Sequence, residues 1–445
     1  MSLDLEIRGA VILSAHNRYV PFVGSVGIED DRIAAVRENS LGAAGSRVIE
    51  AGGRILMPGL INGHCHGDMT FARGLGDGMT LAEQISAFES TGWFYSLIDD
   101  DIRYMSRQLA YCEALLSGTT FMLENMYWSL GARSVKAMAE TGIRGALAED
   151  VRKDFASPDI MFDFEELMAF KSECEKSGII PVIGGLSEED FESGRVERVG
   201  DIVRRLGCRY TLHLAETRWR MELVEERART TSVRFLRDMG ILGPHVIASH
   251  VVHPDEGEIM ILKDRDVKVV NTPLCEMKIA DGIAPVPEMI GAGITVGLGT
   301  DGAMWNNSND IFREMKAVSL LHTVNSGIRA VKTPDVLDMA TINGARVFGM
   351  QDEIGSVEEG KMADLILVDA AAPHMRPLRV TRHENVASSI VFSATGRDVT
   401  DVFVGGRRLV KDRRMVDFPL DKLMADLEDA ASGFAERLGD LKCFE

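Results

Sequence analysis

The sequence predicts an α/β protein: a (β/α)8 barrel carrying a small β lobe built from both chain ends. Two observations predict it. The middle of the chain alternates short apolar runs with amphipathic stretches eight times over, and the two ends share a different, strand-only texture. A chain of 445 residues is long enough for such a barrel and one added lobe.

The eight strand candidates read in order as "LMPGLINGHCH" (56–66), "TTFMLE" (119–124), "IRGALAED" (143–150), "IIPVIGG" (179–185), "RYTLHLAE" (209–216), "HVIASHV" (245–251), "VKVVNTP" (267–273) and "TVGLGTDG" (295–302). Between most of them lie helix-period stretches such as "DDDIRYMSRQLAYCEALLSG" and "RVERVGDIVRRLG". Strands alternating with helices call for a parallel sheet, and eight units call for closure rather than an open sheet.

The ends read differently. "LEIRGAVIL", "VGSVGIEDDRIAAV" and "SRVIEAGGRILMPG" are alternating runs broken by Gly, Asp and Asn, and the texture returns in "MADLILVDAA" and "DVTDVFVGGRRLVKDRRMV". "VGGRRLV" reads as a hairpin turned at Gly405–Gly406. The division expected is a β-sandwich of 1–57 and 357–418, a catalytic barrel of 58–356, and an amphipathic helix within 419–445.

Composition narrows the function. The chain is 45% hydrophobic, with 49 Lys and Arg against 68 Asp and Glu, a formal net charge of −19. An acidic chain is repelled by phosphate backbones and anionic membranes, so no nucleic-acid or membrane partner is expected. The N-terminal stretch lacks the pattern of an export signal, and no apolar run reaches the roughly 18 residues of a membrane span. The six cysteines are scattered without a CxxC pair, which fits a reduced, cytoplasmic setting.

Barrel sites form at the C-terminal ends of the strands, where the chemistry is expected. His64 and His66 end the first strand, and residues i and i+2 face the same way. His213 ends the fifth, with Glu216 three residues on; His250 ends the sixth and Asp301 the eighth. Each has an ordinary role when taken alone. A lone histidine caps or packs, Asp301 before Gly302 makes a turn, and Glu216 suits the first turn of a helix. Together they bring imidazoles and carboxylates to one rim, the donor set of a borderline metal such as zinc with a position left for water. His16, His245, His253, His322, His374 and His383 lie elsewhere and carry no assigned chemistry. HExxH, GxSxG, GxxxxGK[ST] and the paired-cysteine zinc deaminase pattern are absent.

"PGLINGHCH", "HLAE", "SHVVH" and "LGTDG", together with "GSVEEGKMADLILVD", resemble the amidohydrolase superfamily in order and spacing over about residues 5–412. The likeness is strongest to its guanine deaminase, S-adenosylhomocysteine deaminase and triazine hydrolase branch. That resemblance implies a distorted (β/α)8 TIM barrel, a β-sandwich from both termini, and one divalent metal, zinc first and iron second. It implies that His64, His66, His213 and Asp301 bind the metal, and that Glu216 and His250 are the acid/base pair, with Asp301 sharing the proton transfers. The fourth strand ends "VIGGLSEED" without the lysine that would bridge a second metal, so one metal is expected.

The function implied is hydrolytic deamination of an amino-substituted nitrogen heterocycle (purine-, pterin- or pyrimidine-like) by a metal-activated water. The alternatives are an s-triazine amino- or chlorohydrolase or another cyclic C–N hydrolase, and a non-catalytic interaction protein on the same fold. A homo-oligomer is a family-level expectation. Three departures bear on the substrate: Gln84 where relatives carry an aromatic residue, "GGLSEED" for a histidine-containing strand end, and Cys275–Glu276 for Ser–Asn. They point away from an adenosine-type substrate. Gln84, Trp93, Glu149, Arg152, Ser187, Cys275, Glu276 and Trp305 are the pocket candidates, with Arg152 or Gln84 placed to read a carbonyl or ring nitrogen.

Overall fold

The computed structural model describes residues 3–42, 47–89, 97–152 and 161–438. Five strands come first: β1 (Leu5–Ile12), β2 (Phe22–Glu29), β3 (Arg32–Arg37), β4 (Arg47–Glu50) and β5 (Arg54–Pro58). Eight parallel strands follow: β6 (Leu60–Cys65), β7 (Thr119–Asn125), β8 (Arg144–Asp150), β9 (Ile180–Gly184), β10 (Arg209–Leu214), β11 (Val246–His250), β12 (Lys268–Asn271) and β13 (Val296–Leu298). The chain ends with β14 (Leu365–Asp369), β15 (Val399–Val404), β16 (Arg407–Lys411), β17 (Arg414–Met415) and a helix, Leu420–Leu438.

The first five and last four strands form one mixed sheet in the order β17-β16-β15-β14-β5-β1-β2-β3, with β4 paired to β1. The seam between the two chain ends is the antiparallel β5–β14 ladder, Leu56 opposite Leu367. Ile7, Ile12, Val26, Ile28, Leu56, Leu365, Leu367 and Phe403 form a buried core for this lobe, separate from the barrel's. The expected hairpin is present: β15 and β16 are joined at Gly405 (φ 52°) and Gly406 (φ 71°). Two consecutive left-handed residues match the twist of the flanking strands, and glycine adopts them without strain.

One expected strand is two. The run 56–66 looked continuous, yet Arg54–Pro58 pairs in the terminal sheet and Leu60–Cys65 in the barrel. The chain passes from one sheet to the other at Gly59. A Cβ there would lie 2.0 Å from Oγ1 of Thr120, so only glycine fits the crossing.

The barrel strands lie in sequence order, β6 through β13. Closure is made at the rim by the His64 carbonyl, which accepts from the N–H groups of Thr300 (3.1 Å) and Asp301 (3.0 Å). Side chains on β6 and β13 must be small where the backbones meet, and Gly63 and Gly299 supply this; a Cβ on Gly299 would sit 2.9 Å from His64. Aspartate caps start several of the outer helices. Asp99 accepts from the N–H groups of Asp101 and Ile102, and Asp255 with Glu258 forms a capping box. The C-terminal helix buries Leu423, Leu427 and Phe434, the last edge-on to Phe71 at 5.1 Å. It thereby covers the segment that follows β6. Among the described residues no helix is long and apolar enough to cross a membrane, and the five described cysteines are buried free thiols.

Candidate active site

The five strand-end groups converge. Nε2 of His64 lies 3.3 Å and Nε2 of His66 3.4 Å from Oδ1 of Asp301, and Nε2 of His66 lies 3.3 Å from Nε2 of His213. Donors about 2.0–2.2 Å from a tetrahedral zinc stand roughly 3.3–3.6 Å from one another. The spacing fits an ion among His64, His66 and Asp301, with His213 beside His66. A second grouping, His64 with His213 and His250, shares the same space. Nε2 of His64 is buried and, among the described residues, has no hydrogen-bond partner, an arrangement that is costly unless a ligand completes it.

The backbone at the rim is unusual for non-glycine residues. Leu186 (φ 65°), Ala215 (φ 50°), His250 (φ 71°), Val251 (φ 53°) and Asp301 (φ 61°) all adopt left-handed conformations at or just past strand ends. Such residues turn the chain sharply over the barrel mouth, and conformations of this kind gather at functional sites.

Electrostatics divides the four histidines. Burial lowers the pKa of His64, and that of His66 to about 3; burial and the neighbouring imidazoles take His213 well below its ordinary value. These three stay neutral, the form that binds a metal. Burial opposes ionisation of Asp301, but the His64 contact and the surrounding imidazoles hold its pKa well below the usual range. His250 goes the other way. Burial disfavours its charge, yet Glu216, Glu276 and Asp301 outweigh that and push it up to about 10. Its Nδ1 contacts Thr272 Oγ1 at 2.9 Å, which leaves Nε2 facing Glu216 Oε1 at 3.7 Å.

The β6 histidines are also held from behind. His66 donates from Nδ1 to the carbonyl of Asn125 (2.8 Å), which leaves Nε2 bare. Deeper still, the buried Arg107 pairs with Asp68 (3.0 Å) and Glu124 (2.8 Å), tying the segment after β6 to the end of β7.

A cavity opens over these groups. Of the expected pocket residues, Arg152, Ser187 and Trp305 line it. Gln84, Glu149, Cys275 and Glu276 are buried outside the lining, and Trp93 lies outside the described residues. Gln84 turns its amide back onto the carbonyls of Gly76 and Met79, so it reads its own loop. Glu149 accepts from Ser129, and Glu276 accepts from Asn271 and Thr272 beneath His250. Cys275 donates to Asp301 Oδ2 at 2.8 Å. Arg152 reaches the lining, but Asp150 (2.6 Å) and Asp190 (2.8 Å) engage its guanidinium, making it a clamp between two loops.

Sequence reasoning missed Asn125, Tyr127, Thr211 and Arg220, which also line the cavity. Asn125 and Thr211 lie on barrel strands, where the search for strand-end groups could have reached them. Tyr127 stands 4.5 Å from His66 and 5.9 Å from Trp305, ring centre to ring centre, an aromatic wall suited to a flat ring.

Comparison with known proteins agrees with this architecture. The family model described as the amidohydrolase family matches residues 55–409. A 5'-deoxyadenosine deaminase of Methanosarcina acetivorans is 34% identical over 93% of this chain and 94% of its own. A 5-methylthioadenosine/S-adenosylhomocysteine deaminase of Syntrophobacter fumaroxidans is 34% identical over 95% and 96%. Among solved structures, an adenosine deaminase from Xanthomonas campestris with bound zinc superposes with a TM-score of 0.88 at 24% identity, over 98% of this chain and 99% of that one. A zinc complex of an atrazine chlorohydrolase from Arthrobacter aurescens gives 0.86 at 21%, over 96% and 100%. A barrel that closes on one His64 carbonyl, a donor set at metal spacing and a match across most of the chain lead to one conclusion: this protein belongs to the amidohydrolase family.

Proposed function

We propose that the protein is a metal-dependent hydrolytic deaminase of a 6-aminopurine nucleoside. The observation that carries this reading is the 3.3–3.4 Å spacing of the donor atoms beside a Glu216–His250 pair. His64, His66, His213 and Asp301 would hold the metal, zinc by its nitrogen and oxygen donors, with iron the alternative. When bound, the metal supplies the Lewis acidity that brings a water's pKa toward neutrality. Glu216 would carry a proton from the attacking water to a ring nitrogen, which makes the adjacent carbon electrophilic. His250 and Asp301 would orient that water by hydrogen bonding. The remaining proton of the added oxygen would pass through Glu216 or Asp301 to the amino group, which leaves as ammonia while the oxygen stays on the ring carbon as a carbonyl.

The relatives named for adenosine derivatives count against the expectation drawn from the strand-end departures, and so favour a purine nucleoside. Tyr127 and Trp305 would stack its base. The test is ammonia release by zinc-loaded protein over adenosine derivatives, pterins, pyrimidines and s-triazines. Ammonia from the adenosine derivatives is expected. Chloride release or ring opening alone, or no product from the whole panel, overturns the reading. Glu216→Gln should keep its metal and lose turnover by at least about 100-fold; wild-type turnover removes Glu216 from the mechanism.

A further inference from the structure

The loop after β9, residues 187–190, reads "SEED", three consecutive carboxylates. Its carboxylates do not face the cavity as a group. Glu188 is fully buried, and its Oε1 accepts the N–H of Ala215 at 2.5 Å. Ala215 immediately precedes Glu216 and is held at φ 50°, a conformation that a non-glycine residue keeps only when its surroundings impose it. The Ala215 carbonyl accepts from Val252 (2.9 Å) and His253 (3.0 Å), so the peptides on both sides of this residue are fixed.

Glu189 makes the second link. It accepts from Nε of Arg220 at 2.8 Å, and Nη1 of Arg220 donates to Glu216 Oε2. Arg220 lies one turn beyond Glu216 on the helix Arg218–Ala228, with its side chain 10% exposed. The guanidinium thus spans two carboxylates with its planar fork, which orients as well as attracts. Arg227 donates to the Glu189 carbonyl at 2.7 Å and anchors the loop to the same helix. Oε1 of Glu216 is left facing His250, with Oε2 turned toward Arg220.

We infer that Glu188, Glu189 and Arg220 are positioning residues for Glu216: the loop after β9 fixes the backbone before Glu216 and, through Arg220, the direction of its carboxylate. This rests on reading Glu216 as the proton carrier. It also gives the departure at "GGLSEED" a purpose, orientation of the proton carrier rather than recognition of a substrate.

Chemical rescue tests the link. In zinc-loaded Arg220→Ala, kcat for ammonia release should fall about 100-fold or more, with zinc content unchanged and KM within about threefold. Guanidinium chloride at tens of millimolar should restore turnover saturably, and sodium chloride at equal ionic strength should not. Wild-type turnover in Arg220→Ala, or a zinc-replete inactive protein indifferent to guanidinium, overturns the inference. If Arg220→Ala does not fold, Glu189→Gln takes its place, with a loss in kcat and not in KM expected; unchanged kcat overturns it. The pairing is also read without any substrate. Thermal unfolding of Glu216→Gln, Arg220→Met and the double variant should give shifts that are not additive, because each single change removes the same pair. Additive shifts overturn it. Non-additive shifts in a protein that deaminates nothing would leave this pairing standing and remove only the proposed reaction.

Discussion

The side-chain amide of Asn125 lies 2.7 Å from Nδ1 of His64, on the far side of the ring from Asp301. Ser249 Oγ approaches the same nitrogen at 2.8 Å. A metal on Nε2 requires the hydrogen on Nδ1, where it needs an acceptor. The serine hydroxyl can accept it, and a half-turn of the Asn125 amide brings its oxygen into the same position. Since the Asn125 carbonyl also accepts from His66, one residue steers both histidines of β6.

Asn125→Leu should therefore weaken metal binding by about 10–100-fold, the usual cost of losing such a partner. Competition with a chromophoric chelator measures this directly. Unchanged affinity would mean that Ser249 alone sets the His64 tautomer.

Cys275 is a second support. Its thiol donates to Asp301 Oδ2 at 2.8 Å, while the Gly302 N–H donates to Oδ1 at 2.8 Å. A hydrogen bond to a charged group is worth about 1.5–3 kcal/mol, or roughly 10–100-fold in rate or affinity. Cys275→Ser keeps a donor and should stay within about threefold of wild type, whereas Cys275→Val should lose at least about tenfold in kcat/KM. Equal activities for the two variants would assign Cys275 to packing alone.

Chelation should lower Tm and abolish turnover together, and one equivalent of zinc should restore both. Three neutral imidazoles and an ionised carboxylate buried in one cluster are stabilised by a cation that the unfolded chain binds poorly. A ligand at about 1,000 times its Kd adds about 4 kcal/mol to folding. Differential scanning calorimetry with and without chelator checks this; an unchanged Tm argues against a resident metal.

Glu314 should make stability depend on pH. It is buried, accepts from Asn306 (2.6 Å) and Leu274 N–H (3.1 Å), and burial raises its pKa to about 8 despite those bonds. A group with its folded pKa raised contributes stability below its unfolded pKa, and loses it as pH rises through the folded value. Between pH 5 and 8, Tm should thus fall more steeply in wild type than in Glu314→Gln. Parallel Tm curves for the two proteins would show that Glu314 keeps an ordinary pKa.

The sequence by itself determined the scaffold and the identity of the converging groups. Helix and strand periods differ, so eight alternations were countable, and barrel strand ends point to one rim, so His64, His66, His213, His250, Glu216 and Asp301 could be gathered without coordinates. Tertiary structure decided what those groups touch. Nothing local marks Gly59 as the crossing between two sheets, because the clash that requires glycine comes from Thr120, 61 positions on. Nor does local sequence say that Gln84 folds back on its own loop, that Asp150 and Asp190 already occupy Arg152, or that Cys275 stands behind Asp301. Strand alternation reports which face a side chain takes. Loop side chains follow no such period, and their partners are set by packing between segments far apart in the chain. For that reason the cluster of histidines with Asp301 was legible in the sequence, and the walls around it, with the acidic loop linked to Glu216 through Arg220, were not.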